Sequence, residues 1–429
     1  MIIDNILVFP CGTEIGLEIY RCFQGVKNVR LFGASSVDDH GRFVFKNYTG
    51  GLPSVYDKLL FLKAIIKVVK NNNIQYIYPA HDDALIILKK FEKKIGCKVI
   101  SSPLKTCLIA RSKSLTYKTL RNIVNVPMVY SSLDFKNIKF PVFLKPDASQ
   151  GSRGVIKASN LHQLNFYLKE CPELIILEYL PGDEFTIDCF TDFRSNLRYV
   201  GSRIRQRIRN GISVRTMPVK DTALEAMAEK INKKLKFRGA WFFQTKKDEH
   251  GKHKLLEIAP RIAGAMGINR AMGVNLALLG YYDCKKIKVE IYNQEFSVIF
   301  DRALYNAFSL KIRYSHVYID FDDCLIIDKK LNSKLIYFLA QCRNRGVKIY
   351  VLSRHIKDLN HSLAEYGIAG LIDNVISIID QSPKSKYIKH KNSIFIDDSY
   401  KERAEVLLNK NIPVFALDAI ESLINHTEI

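Results

Sequence analysis

Apolar and polar positions alternate in three distinct rhythms along the chain. Over residues 5–110, short apolar runs at 6–9, 29–32 and 76–79 are separated by a glycine-bearing turn at 12–16 that opens a helix, and by a helical stretch at 58–71. This strand–helix–strand order predicts a doubly wound parallel sheet. From 111 to about 300, hairpin-like strands, polar turns and one amphipathic helix around 223–236 predict an α+β region. From Tyr314 onward the strand–helix rhythm returns to the end of the chain. Domains are therefore expected at 1–110, 111–312 and 313–429. No proline- or glycine-rich linker separates them, which predicts packed domains.

Length and composition narrow the picture. A chain of 429 residues exceeds one ordinary core, and 47% hydrophobic content supports globular packing throughout. The longest apolar stretch, 59–69, is interrupted by lysines and falls short of the roughly 20 residues that span a bilayer. The first ten residues contain Asp4 and no basic run, so they read as a strand and not as a signal peptide. A cytoplasmic protein without a membrane anchor is expected. The nine cysteines show no CxxC pair and no histidines at zinc spacing, and read as reduced, buried small hydrophobes. Net charge is +22, from 65 basic and 43 acidic residues, but the lysines are spread along the chain without a block of like charge. That distribution fits a basic surface attractive to nucleotides and acidic substrates, with no nucleic-acid partner.

The central region carries candidate phosphate chemistry. Phe140-Pro141-Val142-Phe143-Leu144-Lys145-Pro146 is an apolar strand with a lysine inside it, followed by the glycine-bearing loop Ser149-Gln150-Gly151-Ser152-Arg153-Gly154. A buried lysine calls for an anionic partner, and such a loop can bring backbone N–H groups against phosphate. Next come Leu177-Glu178-Tyr179-Leu180, a turn, and Glu184 opening another strand. Trp241-Phe242-Phe243-Gln244 and Glu257-Ile258-Ala259-Pro260-Arg261 read as ends of antiparallel neighbours, so their polar members face a common site. Arg203, Arg205, Arg207 and Arg209 fall on one face of a strand, by default a solvated one, with binding of an acidic substrate or polyphosphate beside the site as the alternative. In the first region, Cys11-Gly12-Thr13-Glu14-Ile15-Gly16 reads as a plain turn. Pro79-Ala80-His81-Asp82-Asp83 stands at a ligand-binding sheet edge, with a helix N-cap as the alternative for Asp82.

In order and spacing, residues 1 to about 300 resemble the ATP-grasp superfamily, particularly its carbamoyl-phosphate-synthase-like branch with a Rossmann-like pre-ATP-grasp domain. The resemblance implies that ATP is clamped between two α+β subdomains, a carboxylate is phosphorylated, and an amine attacks the acyl phosphate. It implies phosphate contacts from Lys113 and Lys145, a flap over the phosphates from Gly151, Ser152 and Gly154, and adenine reading at Glu178 and Leu180. Glu184 matches the ribose-binding acid, Gln244 and Glu257 the metal ligands, and Arg261 the arginine that stabilises the transferring phosphoryl group. Two departures stand out. Gln244 occupies a position where many relatives place an acid, and Ala259 replaces the usual asparagine, so one firmly held Mg²⁺ is expected.

Near the C-terminus, Ile319-Asp320-Phe321-Asp322-Asp323 and Ile396-Asp397-Asp398 each end an apolar run, so two buried parallel strands deliver carboxylates to one sheet edge. Ser353 ends another such run, and Lys384, with Lys386 as the alternative, precedes the last. These four motifs resemble the haloacid dehalogenase (HAD) superfamily. The resemblance implies Asp320 as nucleophile, Asp322 as acid/base, and Ser353 and Lys384 as phosphate ligands. Asp320, Asp322, Asp397 and Asp398 would hold Mg²⁺. About thirty residues separate Asp322 from Ser353, room for one crossover helix but not for a sizeable cap. His355, Asp358 and His361 read as a solvent-facing helix start. An inert α/β module that only binds metal is the alternative.

Together these expectations describe α/β and α+β domains: a Rossmann-like pre-ATP-grasp domain, an ATP-grasp fold, and an HAD-like doubly wound parallel sheet without a large cap. The expected activity is an ATP-dependent carboxylate–amine ligase joined to a Mg²⁺-dependent phosphatase, acting on small metabolites or surface-polysaccharide precursors. ATP and Mg²⁺, or Mn²⁺ in its place, are the expected cofactors. Expected partners are a small carboxylate, an amine and a phosphorylated small molecule, with homo-oligomerisation left open. The contrasting reading is a nucleotide-binding scaffold or sensor with idle sites, favoured by Gln244 and Ala259.

Overall fold

The computed structural model describes residues 3–131, 138–149, 154–294, 296–304 and 306–428. The chain divides into two compact units, Met1–Leu304 and Tyr305–Ile429.

In the first unit, β1 (Asp4–Phe9), β2 (Val29–Ala34), β3 (Asn47–Thr49), β4 (Tyr76–Pro79) and β5 (Lys98–Val99) form a parallel sheet of order β3-β2-β1-β4-β5. Both faces are covered. Leu7 and Phe9 pack on Phe61 and Ile65 of the helix Lys58–Asn71, whose buried positions 61, 62, 65, 68 and 69 repeat at helical spacing. Asp57 caps that helix by accepting from the Leu60 N–H. Ile6 and Val8 face the other way, toward Ile15 and Ile19 of the helix Glu14–Cys22 and toward Ala277 and Tyr281 of the distant helix Leu276–Cys284. Each such fully buried side chain stabilises by about 1.5 to 3 kcal/mol. Because Leu276–Cys284 closes one face of the first sheet, the regions before and after residue 110 share a core, which accounts for the missing linker. The turn after β1 is a capped helix start: Thr13 accepts from the Gly16 N–H at 3.0 Å. At Gly12 a Cβ would lie 2.2 Å from Asp39 Oδ1, so a larger residue there would have to displace the Asp39 side chain.

β6 (Val129–Tyr130), β7 (Val142–Pro146), β8 (Ile156–Ala158) and β9 (Leu174–Glu178) form an antiparallel sheet of order β6-β9-β7-β8. Val142 and Leu144 pack on Leu164 of the helix Leu161–Glu170, so alternation turns Phe143 and Lys145 to the opposite face. β10 (Glu184–Thr191), β11 (Leu197–Arg209), β12 (Ile212–Pro218), β13 (Gly239–Lys247), β14 (His253–Ala259) and β15 (Phe300–Asp301) form a second antiparallel sheet, of order β14-β13-β10-β11-β12-β15. Ile187, Cys189, Trp241 and Phe243 pack on Leu224, Ala228 and Ile231 of the helix Thr222–Lys234. The register sets Arg203, Thr186, Gln244 and Glu257 in one row across β11, β10, β13 and β14, on the face away from that helix.

In the second unit, β16 (His316–Ile319) is followed by a hairpin of β17 (Ile326–Ile327) and β18 (Lys330–Leu331). Its two turn residues, Asp328 and Lys329, have φ of 50° and 59°, as a primed two-residue turn requires. β19 (Lys348–Ser353), β20 (Asn374–Ser377), β21 (Ser393–Ile396) and β22 (Val414–Phe415) complete a parallel sheet of order β20-β19-β16-β21-β22. Between Asp322 and β19 the chain makes only the hairpin and the helix Ser333–Asn344. All nine cysteines are free. Among the described residues, no helix is long and apolar enough to cross a membrane.

Candidate functional sites

A cleft of about 810 Å³ in the first unit is lined by both antiparallel sheets. Lys113, Lys145, Glu178, Leu180, Glu184, Gln244 and Glu257 all line it. Lys113, in the first turn of the helix Lys113–Leu120, is buried and donates to the Ser149 carbonyl and hydroxyl, each at 3.2 Å. Lys145 donates to the Tyr117 hydroxyl at 2.9 Å and the Leu256 carbonyl at 3.4 Å. Burial, reinforced by repulsion from Lys113, pushes Lys145 down to about 8. Burial likewise lowers Lys113. Neither ammonium forms a salt bridge among the described residues. The side chain that meets Lys145 is thus a phenol and not the anion its burial called for, and two buried cations face a shared space. Such an arrangement is suited to a polyanion.

Glu178 ends β9, and its Oε1 accepts from Lys254 at 2.5 Å and from the Met128 N–H at 3.1 Å. Glu184 and Gln244 both meet Arg205, which forms an ion pair with Glu184 and donates to Gln244 Oε1 at 3.1 Å. Gln244 and Glu257 are direct cross-strand partners. The donor set is therefore one carboxylate and one amide, which fits one divalent ion sharing nucleotide oxygens. Arg203 Nε donates to Asp188 at 2.8 Å in the interior of the sheet face. The expectation of a solvated arginine face fails for Arg203 and Arg205, because Asp188 and Glu184 on the neighbouring β10 pair with their guanidinium groups. It holds for Arg207, which is exposed and pairs with Asp301.

A smaller, narrow pocket adjoins the cleft and shares Lys113, Ser149 and Glu257 with it. Asp82, Arg111 and Arg261 also line it. Arg261 is bonded to Asp82 by Nε at 2.5 Å and Nη2 at 2.9 Å. Asp82 does not cap its helix. His81 does, through Nδ1 accepting from the Asp83 N–H at 3.2 Å, while Asp83 accepts from Arg111 at 2.8 Å. Gly151 and Ser152 lie outside the described residues. Gly154 is exposed with φ of 70°.

The second unit gathers its acids at the carboxyl edge of β16 and β21. Ligand oxygens of Asp320, Asp397 and Asp398 lie within 4.8 Å of one another, a donor set that fits a hard cation such as Mg²⁺. Lys384, buried on a short 3-10 turn, reaches Asp397 at 2.6 Å and Asp320 at 2.8 Å. The exposed Lys386 instead lies 3.9 Å from Asp380. Burial and the neighbouring Asp320 push Asp397 up to about 6, against the pull of Lys384. Ser353 is buried at the end of β19, the strand beside β16. Asp322 falls outside the three-acid group. Its carboxylate instead meets His355 Nδ1 at 2.9 and 3.0 Å, and His355 Nε2 lies 3.0 Å from the Ser362 hydroxyl. His355 is thus turned inward, contrary to the solvent-facing expectation. Asp358 caps the helix Leu359–Glu365.

Sequence reasoning missed the residues that act through others: Tyr117 on Lys145, Arg205 on Gln244, and His355 on Asp322. Only Arg205 carried a signal, the alternation of arginines along β11.

Comparison with known proteins places this geometry. Residues 170–298 match the sequence family described as "ATP-grasp in the biosynthetic pathway with Ter operon". A D-alanine–D-alanine ligase of Petrotoga mobilis is 29% identical over 99 residues, 22% of this chain and 33% of that enzyme. The chain therefore spans about a third of the length of that curated relative. The biotin carboxylase domain of Hydrogenobacter thermophilus 2-oxoglutarate carboxylase, solved with MgADP and bicarbonate, superposes with a TM-score of 0.58. Identity is 16%, over 68% of this chain and 72% of that one. An L-amino acid ligase from Bacillus licheniformis superposes with a TM-score of 0.55 at 14% identity, over 66% of this chain and 75% of that one. On these likenesses, about two thirds of the chain shares its fold with those two solved enzymes, and residues 170–298 are similar to an ATP-grasp family.

Proposed function

We propose that the protein is an ATP-dependent carboxylate–amine ligase whose C-terminal unit is an HAD-type, Mg²⁺-dependent phosphohydrolase. The observation that carries the ligase reading is the convergence of Lys113, Lys145, Glu178, Glu184, Gln244 and Glu257 on one cleft. Further support comes from the curated relative, itself a ligase. In this reading 1–110 is the pre-ATP-grasp domain, 111–312 the ATP-grasp domain and 313–429 the HAD-like domain.

Lys113 and Lys145 hold the triphosphate, and Glu178 and Leu180 take the adenine end. Glu257, opposite Gln244 on the neighbouring strand, would hold Mg²⁺, which would neutralise charge on the phosphates. The substrate carboxylate sits in the adjoining pocket, so one of its oxygens can attack the γ-phosphorus as ADP leaves. Arg261 offers positive charge to the phosphoryl group in flight. An amine then attacks the acyl carbon and inorganic phosphate leaves, giving an amide. Positioning two reactants across one shared wall supplies much of the rate. ADP release with a panel of amino acids and uronic acids as carboxylates tests this reading. It should disappear in Lys145→Ala and Glu257→Ala, and unaltered turnover in either would sink it.

In the second unit, Asp320 attacks phosphorus, and Asp322 gives a proton to the leaving alcohol. Ser353 and Lys384 hold the phosphate, while Asp397 and Asp398 with Asp320 would hold Mg²⁺. Water then releases phosphate from Asp320. The three-acid group around Lys384 supports this reading. Hydrolysis of a generic phosphate ester that survives Asp320→Asn would overturn it.

A nucleotide sensor with an idle ligase site is the second reading, supported by Ala259 and by the contact of Arg205 with Gln244. Intact ATP binding without turnover on any carboxylate would favour it.

A further inference from the structure

Arg205 stands among the groups expected to bind metal and ribose, yet nothing in the ligase reading uses it. It lines the cleft, and its side chain is only 5% exposed. The guanidinium is held from three sides. It pairs with the Glu184 carboxylate, donates Nη1 to Gln244 Oε1 at 3.1 Å, and donates Nη2 to the Gly211 carbonyl at 2.6 Å in the β11–β12 turn. The fourth group, Nε–H, is buried and has no partner among the described residues. A guanidinium stays charged at any accessible pH, and its fork is rigid once two arms are tied. A fixed positive charge therefore sits against the oxygen of Gln244.

Three further features agree with this placement. A neutral amide at 244 tolerates an arginine beside it while offering little to a divalent cation. The alanine at 259 removes a second oxygen donor from the end of β14. A divalent ion on Gln244 would also meet direct repulsion from Arg205 across a buried, poorly screened distance.

We propose that Arg205 replaces one metal ion of the nucleotide site, so that the cleft binds ATP with a single divalent cation, held at Glu257, and with the fixed charge of Arg205 standing at Gln244. The proposal rests on the reading of the cleft as an ATP site. It adds that the charge usually brought by a second dissociable ion is built into β11.

The test counts Mn²⁺ by electron paramagnetic resonance on the full chain, as the increment caused by saturating AMP-PNP. Taking the increment removes ions bound at Asp320, Asp397 and Asp398. The wild-type increment should be one ion per nucleotide, and two ions would overturn the proposal. The Arg205→Met, Gln244→Glu double variant restores an acid and removes the cation, and should bind two. One ion in a double variant that still binds AMP-PNP would show that Arg205 is not what excludes the second, and would also overturn it. Arg205→Lys keeps the charge and should keep the count at one. In EDTA, AMP-PNP affinity of Arg205→Met should fall at least about tenfold, through loss of a fixed positive charge beside the polyphosphate. Failure of the wild type to bind AMP-PNP at all would instead refute the ATP site itself, an outcome distinct from a wrong metal count.

Discussion

Asp82 and Arg261, 179 residues apart in sequence, are joined by two hydrogen bonds of 2.5 and 2.9 Å. The pair ties the carboxyl edge of the first sheet to the segment after β14, and both side chains line the smaller pocket beside the cleft. Asp82 lies in the first turn of its helix, where the helix dipole also favours a carboxylate. Burial alone would raise its pKa, but Arg261 outweighs burial and holds Asp82 below the usual carboxylate range.

Asp82→Ala should destabilise the first unit by about 3 kcal/mol, because it leaves a buried guanidinium without its counter-charge. Asp82→Asn, which keeps one acceptor, should lose less. Urea titration of both variants checks the order. The wild-type contribution is present above the unfolded carboxylate pKa of about 4 and is lost as pH falls through the lower folded value. The gap between wild type and Asp82→Asn should therefore close in acid.

Burial and repulsion from Lys113 hold Lys145 down at about 8. Nucleotide binding favours its charged form, so affinity for ATP should weaken as pH rises through about 8. Stability runs the other way, since burying the charged lysine is unfavourable and that penalty is relieved as pH rises from about 8 toward the unfolded value. Lys145→Met should bind ATP weakly and with no inflection near pH 8. Calorimetric titration of both proteins from pH 6.5 to 9.5 measures this, and a flat wild-type profile would count against it.

Asp397, raised to about 6, should carry a proton below that pH in the metal-free protein. Metal must displace this proton, so Mg²⁺ affinity should fall about tenfold per pH unit below 6. Thermal shift of the second unit by Mg²⁺ reads the effect. The dependence should vanish in Asp397→Asn, together with most of the binding.

His355 holds Asp322 in place through its ring Nδ1. If Asp322 protonates the leaving group, His355→Ala should slow alkyl phosphate hydrolysis by about tenfold or more while affecting p-nitrophenyl phosphate much less, since nitrophenolate leaves without a proton. Equal slowing of both esters would mean that His355 acts on the fold alone.

Most of the expected elements are present. Apolar runs at 6–9 and 76–79 became β1 and β4, the helix at 58–71 is Lys58–Asn71, and the hairpin bearing Gln244 and Glu257 pairs as its spacing implied. The apolar run that holds Lys145 is likewise a strand, β7. These are local consequences of strand and helix periodicity, which a sequence carries in full. What meets a side chain across the sheet is not local. Whether Arg205 meets water or Glu184 depends on the register of β11 against β10. Whether Asp82 caps a helix or grips Arg261 depends on where β14 ends beside it. Asp322 looked like a metal ligand because it follows Asp320 by two residues, yet a turn between them swings it to His355. The sequence by itself determined the elements and the order of the chemical groups along them. Only the tertiary structure decided which charges are paired, because burial and counter-charge are set by neighbours brought together through the fold.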